Sequence, residues 1–469
     1  MPNPDPRTLW QLTEAAGPLD QRFFLDDTTR LPFDAIACGV ASEPFLAAVR
    51  DAHVMIRTTN QLGAALALLA LDGIARRIVL CTPDLSPEHM RFAIDTAEVG
   101  VVASDRPLPE LADLGVKVII MDGPAVTPTG FGRDGRVETE WALFTSGTTG
   151  PPKMAIHSLA ALTGVIARDA APATGSVWCT FYDIRRYGGL QILLRALIGG
   201  GSMVLSSEHE APVDFLARAG GAGVTFISGT PTHWRRAMLS PAAALIAPRD
   251  VRMSGEVADQ AIIEKLRATY PNARVCHAFA STEGGVAFEV ADGLAGFPAA
   301  WVGQPRGVVE LGVVDGTLRI RSPRTATRYL GDKAPPLKEP DGFVDTKDMV
   351  ELRGERYHFV GRRDGVINVG GLKVHPEEVE AVVNRHPFVE MSLVRSRRSP
   401  IIGAIVVADV VLSHTADDNA RESDGAKQLE AEIIESCRQA LAWFKVPASV
   451  RIVPSLNVNA AGKLVRKSA

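Results

Sequence analysis

Residues 145–153, TSGTTGPPK, follow an apolar strand-like run, Trp141 to Phe144, and precede a helix-like segment that begins near Ser158. A glycine-rich turn after a strand points backbone N–H groups outward, and the hydroxyls of Thr145, Ser146, Thr148 and Thr149 add donors. Donors grouped in this way suit phosphate oxygens. The common nucleotide loop sets glycine, lysine and Ser/Thr together at a helix start. Here Pro151 and Pro152 separate Gly150 from Lys153. As a generic Gly/Thr loop the stretch reads as a surface turn. Other candidates read just as plainly when taken singly. Glu283 alone is a solvated loop acid, Gly370 and Gly371 are a tight turn between strands, and Lys463 is a solvated charge near the C-terminus.

The elements that must carry these residues follow from periodicity. HVMIRT (53–58) is strand-like and precedes the helical QLGAALALLALDGI; RRIVLCT follows, then SPEHMRFAIDTA. In that last helix Ser86 is a good N-cap, Pro87 fits the first turn and Glu88 suits the positive end. VGVVAS and VKVIIM are further strands, and the βαβ alternation predicts a parallel sheet covered by helices. The pattern restarts after the loop with SVWCTF, SMVLSS, VTFISG, DVRMSG and ARVCHAF. Between residues 301 and 360 it changes to short β pieces, VVELGVV, TLRIRS and RYHFVG. A small α+β module comes after Asp364: the helix HPEEVEAVVNRH, the strands FVEMSLVRS and IIGAIVVADVVL, and the helix QLEAEIIESCRQALAWF. Leu429, Ile433, Cys437 and Leu441 share one face of that last helix, and the polar SHTADDNARESDGAK before it reads as a loop. The expected fold is α/β, with a large N-terminal domain (1–363) and a small α+β C-terminal domain (364–469). The large domain would hold two doubly wound βα subdomains and a small β region.

Composition narrows the function. At 469 residues with 46% hydrophobic and 22% charged content, the chain reads as soluble and globular, long enough for a large buried core. A net charge of -4 gives no basic bias and argues against nucleic acid as a partner. Cys38, Cys81, Cys179, Cys276 and Cys437 lie far apart without a C-x-x-C pair, which disfavours a disulfide frame or a zinc site and suits a reducing compartment. The N-terminus lacks a signal-peptide layout. The longest apolar run, IIGAIVVADVVL, is too short to span a membrane and carries Asp409. The expectation is a cytoplasmic protein that binds neither nucleic acid nor membrane.

Taken in order, Ser146-Gly147-Thr148-Thr149-Gly150-x-Pro152-Lys153 resembles the phosphate loop of the adenylate-forming (AMP-binding) superfamily. That superfamily holds acyl- and aryl-CoA ligases, peptide-synthetase adenylation domains and luciferases. Further signatures continue the resemblance from about residue 50 to the end of the chain. HAFASTEGG (277–285) resembles the aromatic-Gly-x-Thr-Glu string, with Ala280 in place of the usual glycine and Ser281 at the variable position. The resemblance implies that Phe279 packs on adenine, Thr282 touches phosphate and Glu283 holds Mg²⁺. Magnesium needs few protein ligands beside phosphates, so one carboxylate suffices. MSGEV brings Gly255 and Glu256 to the adenine wall. GFVDTKDMVEL resembles Tyr-x-Thr-Gly-Asp, with Asp348 on both ribose hydroxyls and Lys347 where glycine is usual, so a locally different backbone is expected. In GRRDGVINVGGLKVHPEEVE, Arg362 would join the ribose and Asp364 would be the hinge. Gly370 and Gly371 would line a pantetheine tunnel, where absence of Cβ permits close approach. LNVNAAGKLVRKSA resembles the terminal Pro-x-x-x-x-Gly-Lys-x-x-Arg motif; it assigns the catalytic lysine to Lys463 and puts Asn457 in place of proline. The implied activity joins a carboxylic acid to AMP from ATP, with Mg²⁺, and passes the acyl group to a thiol. A mobile C-terminal domain would rotate between the two steps.

The acid pocket departs from the pattern. Arg186 or Tyr187 stands where acyl-CoA ligases show histidine, and Asp183 lies too early to hold an α-amine, which disfavours an amino acid. Arg186 either faces the pocket and selects a second anionic or polar group, or pairs with Asp183 or Glu283, or is an exposed side chain. In SGTPTHWRRAML, His233 and Trp234 would narrow the pocket toward a compact aryl or short acid. INVGGLKVHPEEVE and PPKMAIHS resemble CoA ligases, so CoA is the expected acceptor, and carrier-protein phosphopantetheine is the alternative. A homodimer is compatible with this reading. A nucleotide-binding protein without activity is the contrasting reading, supported only by the departures at Arg186, Ala280, Lys347 and Asn457.

Overall fold

The structure is a computed structural model that describes residues 8–37, 43–121, 137–145, 152–166, 175–207, 210–399, 403–413, 423–459 and 462–465. Alternation along the strands explains its layering. In His53–Ile56, Val54 and Ile56 enter one apolar core while Met55 enters another; in Arg77–Leu80, Ile78 and Leu80 join the first and Val79 the second. Side chains two apart share a face, so a strand buried on both faces feeds two cores. The resulting sheet has seven strands. Glu140–Phe144, Arg77–Leu80, His53–Ile56, Val101–Ser104 and Lys117–Ile120 run parallel, and Met154–His157 and Arg328–Tyr329 close one edge antiparallel.

A second sheet has eight strands. Its centre, Arg274–Ser281, Asp250–Ser254, Phe226–Gly229, Val177–Thr180 and Ser202–Val204, is parallel. Gly285–Val290 closes one end antiparallel. At the other end the N-terminal segment, in which no motif is legible, supplies Phe23–Leu25 and Arg30–Pro32. Helices Gln61–Leu71 and Tyr187–Ile198 contribute to one core together with strands of both sheets. Asn60 caps the first of these helices by accepting from the Gly63 N–H. As expected, Ser86 caps Pro87–Thr96 by accepting from the His89 N–H.

The β region is a five-stranded antiparallel sheet in the order Phe297–Pro298, Arg356–Arg362, Val344–Arg353, Thr317–Arg321 and Glu310–Val314. Beyond it, a core drawn from residues Ile367 to Val450 joins the Pro376–Val383 and Ser423–Ala440 helices to a three-stranded sheet. This smaller domain rests on the larger one through Asn384, which donates to Asp259 (3.0 Å), and through the Lys265–Glu390 ion pair. The Ser423–Ala440 helix takes in residues read as loop; the rest of that loop, 414–422, lies outside the described residues.

The helix expected near Ser158 is present, with Ser158 capping the short Leu159–Thr163. The strand before it was not anticipated: Met154–His157 pairs with Glu140–Phe144. The opening loop therefore connects two antiparallel strands, tied at its base by the Thr145 N–H donating to the Lys153 carbonyl (2.9 Å).

Candidate active site

The C-terminal end of the chain forms a small hairpin. The Asn459 N–H donates to the Lys463 carbonyl (2.9 Å), the Asn459 side chain accepts from the Lys463 N–H (3.1 Å), and Val458 bridges Leu464. Gly462 turns the chain with φ +68°. Two residues of the large domain hold the hairpin down. Thr230 donates its hydroxyl to the Gly462 carbonyl (2.9 Å), and Glu256 accepts from the Leu464 N–H (3.2 Å). The second Glu256 oxygen accepts from the Thr232 N–H (3.0 Å) at the start of Pro231–Met238. Docked in this way, Lys463 brings its Cε to 3.5 Å from where a side chain on Gly255 would begin.

Around that ammonium the distant segments converge. Burial pulls the Lys463 pKa down, and Glu256 and Asp348 oppose that pull. Asp348 and Arg362 are paired on neighbouring strands, 3.5 Å apart. Burial pushes the Asp348 carboxyl up to about 6, with Arg362 and Lys463 opposing and Glu283 adding to the rise. Glu283 accepts from the Tyr329 hydroxyl (3.1 Å), and Lys153 lies 5.1 Å from the centre of the Tyr329 ring. Lys153, Glu283, Asp348, Arg362 and Lys463 thus share one neighbourhood. Thr145 sits beside Lys153 through their backbone bond. Ser146, Gly147, Thr148, Thr149 and Gly150 lie outside the described residues.

The Thr282–Glu283 turn is held from three sides. Ser281 closes it by accepting from the Gly284 N–H (2.9 Å), and the Ala326 N–H donates to the Glu283 carbonyl (2.9 Å). His157 donates from Nε2 to the Thr282 carbonyl (2.7 Å). Burial lowers the His157 pKa to about 4, so the ring is neutral and has one proton to give. Lys347 has φ +62°, so a lysine here holds the left-handed backbone that glycine favours.

The remaining sequence-predicted residues have definite neighbours in the packing. Arg186 pairs with neither Asp183 nor Glu283; its guanidinium meets both oxygens of Asp84 at 2.7 Å. Asp183 is occupied by buried Arg185, at 2.6 Å. Tyr187 is buried in the core between the sheets, its ring 5.5 Å from His157. His233 lies under the Lys463 hairpin, stacked on Phe181 at 5.4 Å, with Nδ1 accepting from the Thr230 N–H. Trp234 points away into the core and donates to the Arg252 carbonyl. Phe279, expected on adenine, lies parallel to Phe359 at 5.1 Å and near Phe288 at 5.8 Å. Glu256, expected at an adenine wall, has its carboxylate on the Thr232 and Leu464 amides. Gly370 and Gly371 form the turn between Ile367–Val369 and Leu372–Val374, with φ +57° and +91° and no atom within 4 Å of an added Cβ. The left-handed backbone by itself favours glycine at both positions. Asp364 sits exposed in the Arg363–Gly365 turn, between the Arg356–Arg362 and Ile367–Val369 strands, 4.0 Å from the Lys347 ammonium.

Thr230, Tyr329 and Asp84 were not anticipated. Thr230-Pro231 is legible as a helix cap, but nothing local shows that its hydroxyl reaches Gly462.

A family model described as AMP-binding enzyme matches residues 46–330, and one described as AMP-binding enzyme C-terminal domain matches residues 378–463. The chain is 26% identical over 475 residues to the FR901469 synthetase of Dothideomycetidae sp., covering 86% of this chain but 3% of that protein. It is 29% identical to the 2-succinylbenzoate–CoA ligase of Salmonella typhimurium, covering 69% of this chain and 67% of that one. Among solved structures, an anthranilate CoA ligase in complex with anthranoyl-AMP shares the fold, with a TM-score of 0.77 at 17% identity over 98% of this chain and 96% of that one.

Proposed function

The chain belongs to the AMP-binding enzyme family, and from that premise we propose that it activates a carboxylic acid with ATP and transfers the acyl group to the thiol of CoA. The observation that carries the reading is the docking of Lys463 beside Gly255, within electrostatic reach of Glu256, Asp348 and Arg362. A carboxylate is a poor acyl donor, because its charge repels nucleophiles and oxide is a poor leaving group. Joining it to AMP cures both faults. As the carboxylate attacks the α-phosphate, negative charge gathers at phosphorus, and Lys463 is the cation that meets it. Asp348, as a carboxylate, accepts from the two ribose hydroxyls, and Arg362 keeps it ionised. Residues 145–153 receive the departing phosphates; Lys153, against Tyr329, anchors the loop's end.

The donor set suits a magnesium ion. Glu283 offers a carboxylate of which Tyr329 engages one oxygen, and among the described residues no cluster of three ligating side chains surrounds it. A site of one carboxylate plus substrate phosphates is the magnesium pattern. When bound, the ion neutralises phosphate charge.

The small domain must leave before a thiol can reach the adenylate, and the Asp364 turn is where the chain swivels. The domains divide at residues 363 and 364 in this reading. The acids named for the relatives, 2-succinylbenzoate and anthranilate, agree with a compact aryl substrate. Carrier-protein phosphopantetheine is the second acceptor, kept because one relative is a synthetase of which the chain covers 3%. The test is Lys463→Ala. ATP–pyrophosphate exchange should fall about 10²–10³-fold, while thioester formation from supplied acyl-adenylate persists. Equal loss of both steps would refute the assignment, and product masses with CoA against carrier protein separate the acceptors.

A further inference from the structure

A cleft of about 390 Å³ opens along the Gly285–Val290 strand, with three arginines in its lining: Arg195, Arg306 and Arg324. Arg195 lies in the last turn of Tyr187–Ile198. Its guanidinium makes no hydrogen bond or ion pair among the described residues, and burial pulls its pKa down to about 10. The Arg324 Nε is buried without a partner. Arg306 stacks on Trp301, 3.5 Å from the ring centre, and leaves its N–H edge free of any carboxylate among the described residues. The one acid in the lining, Glu289, is committed to Arg252 and Arg274. Guanidinium groups without partners in a partly desolvated cleft are a costly arrangement unless an anion joins them. The remaining lining is apolar and includes Val286, Phe288 and Val309.

Two elements that line the cleft have their other ends near the centre of chemistry. Gly285–Val290 begins two residues after Glu283 and supplies Val286 to Glu289 to the lining. Tyr187–Ile198 starts next to Arg186, whose charge Lys463 senses, and ends beside Arg195. Arg324 crosses between them. Its carbonyl lies against Gly285, where an added Cβ would be 2.3 Å away, and its stem lies 3.5 Å from one on Gly164. The Tyr187 phenol senses both Arg195 and Arg324.

We propose that this cleft holds a second anionic group of the acid substrate, so that the enzyme prefers an aryl or alkyl acid bearing a distal carboxylate over its singly charged counterpart. The selecting role first considered for Arg186 passes to Arg195 and Arg324, since Arg186 is paired with Asp84. The proposal rests on the acid-activating function above.

Pyrophosphate exchange compares 3-phenylpropanoate, 3-(4-carboxyphenyl)propanoate and the aryl methyl ester of the latter. The dicarboxylate is expected to have a kcat/KM at least tenfold above the other two. Arg195→Met and Arg324→Gln, each checked for an unchanged thermal transition, should collapse that ratio toward one without altering KM for ATP. Two variants guard against one failing to fold, and the wild-type comparison needs neither. A wild-type ratio at or below one, or a ratio unchanged in both variants, overturns the proposal while leaving acid activation standing. Calorimetric titration without ATP separates the two ideas. If no acid supports exchange yet the dicarboxylate binds in an Arg195-dependent way, the activation reading fails and the anion site stands. Binding of inorganic phosphate alone, with none of the dicarboxylate, overturns the substrate assignment.

Discussion

Replacing Gly462 by alanine should uncouple the two half-reactions. The residue has φ +68°, where an alanine costs about 1–2 kcal/mol. That alone thins the docked state by about 5- to 30-fold. The new Cβ would also lie 1.8 Å from Cε1 of His233. That ring cannot easily retreat, because it is stacked on Phe181, lies edge-on to Tyr182 at 5.7 Å and accepts from the Thr230 N–H. The hairpin must lift instead. It then loses the Thr230 bond to the Gly462 carbonyl and the charged bond from the Leu464 N–H to Glu256. Such bonds are worth about 0.5–1.5 and about 1.5–3 kcal/mol respectively. Losing both gives about 2–4.5 kcal/mol, or roughly a 30- to 2,000-fold fall in pyrophosphate exchange. Thioester formation from supplied acyl-adenylate should stay near wild type, and so should the thermal transition. Adding His233→Ala should recover the steric share and leave the backbone cost. Unchanged exchange, or an equal fall in both steps, would show that the docked hairpin is not the adenylating arrangement.

Arg186→Ala should change stability by about 0–1 kcal/mol, as for a partly exposed pair, and leave the ranking of acids unaltered; a changed ranking would return Arg186 to the pocket. A pH effect comes from His157, whose folded pKa of about 4 lies below its ordinary 6.5. The unfolded chain therefore binds the proton first. The favourable contribution of the neutral ring is full above pH 6.5 and declines by up to about 1.4 kcal/mol per unit as pH falls toward 4. Asp72 and Asp348, pushed up to about 6, act in the opposite sense below pH 6. The measurement is therefore the difference between wild type and His157→Asn in denaturant midpoints from pH 7.5 to 5. The variant should lose less stability on acidification, and parallel curves would refute the burial argument.

Local order was legible in the residues themselves. The period of two in HVMI and RRIVL, the Ser86 cap and the paired glycines at 370 and 371 all depend on near neighbours, so strand, helix start and turn could be placed without knowing the fold. The residue types around Lys463 were legible too, because their order along the chain follows a known pattern. Partnership was not. Arg186 finds Asp84 across 102 residues, Glu256 finds Leu464 across 208 and Thr230 finds Gly462 across 232. The N-terminal strand gains its role only by pairing Phe24 with Met203. Phe279 illustrates the limit: its aromatic type marked the site, yet a neighbouring sheet supplies Phe359 against its ring. Periodicity and caps are set by interactions within a few residues, whereas an ion pair or a docked hairpin depends on sheet order and domain contact. Those emerge only when distant surfaces are buried together.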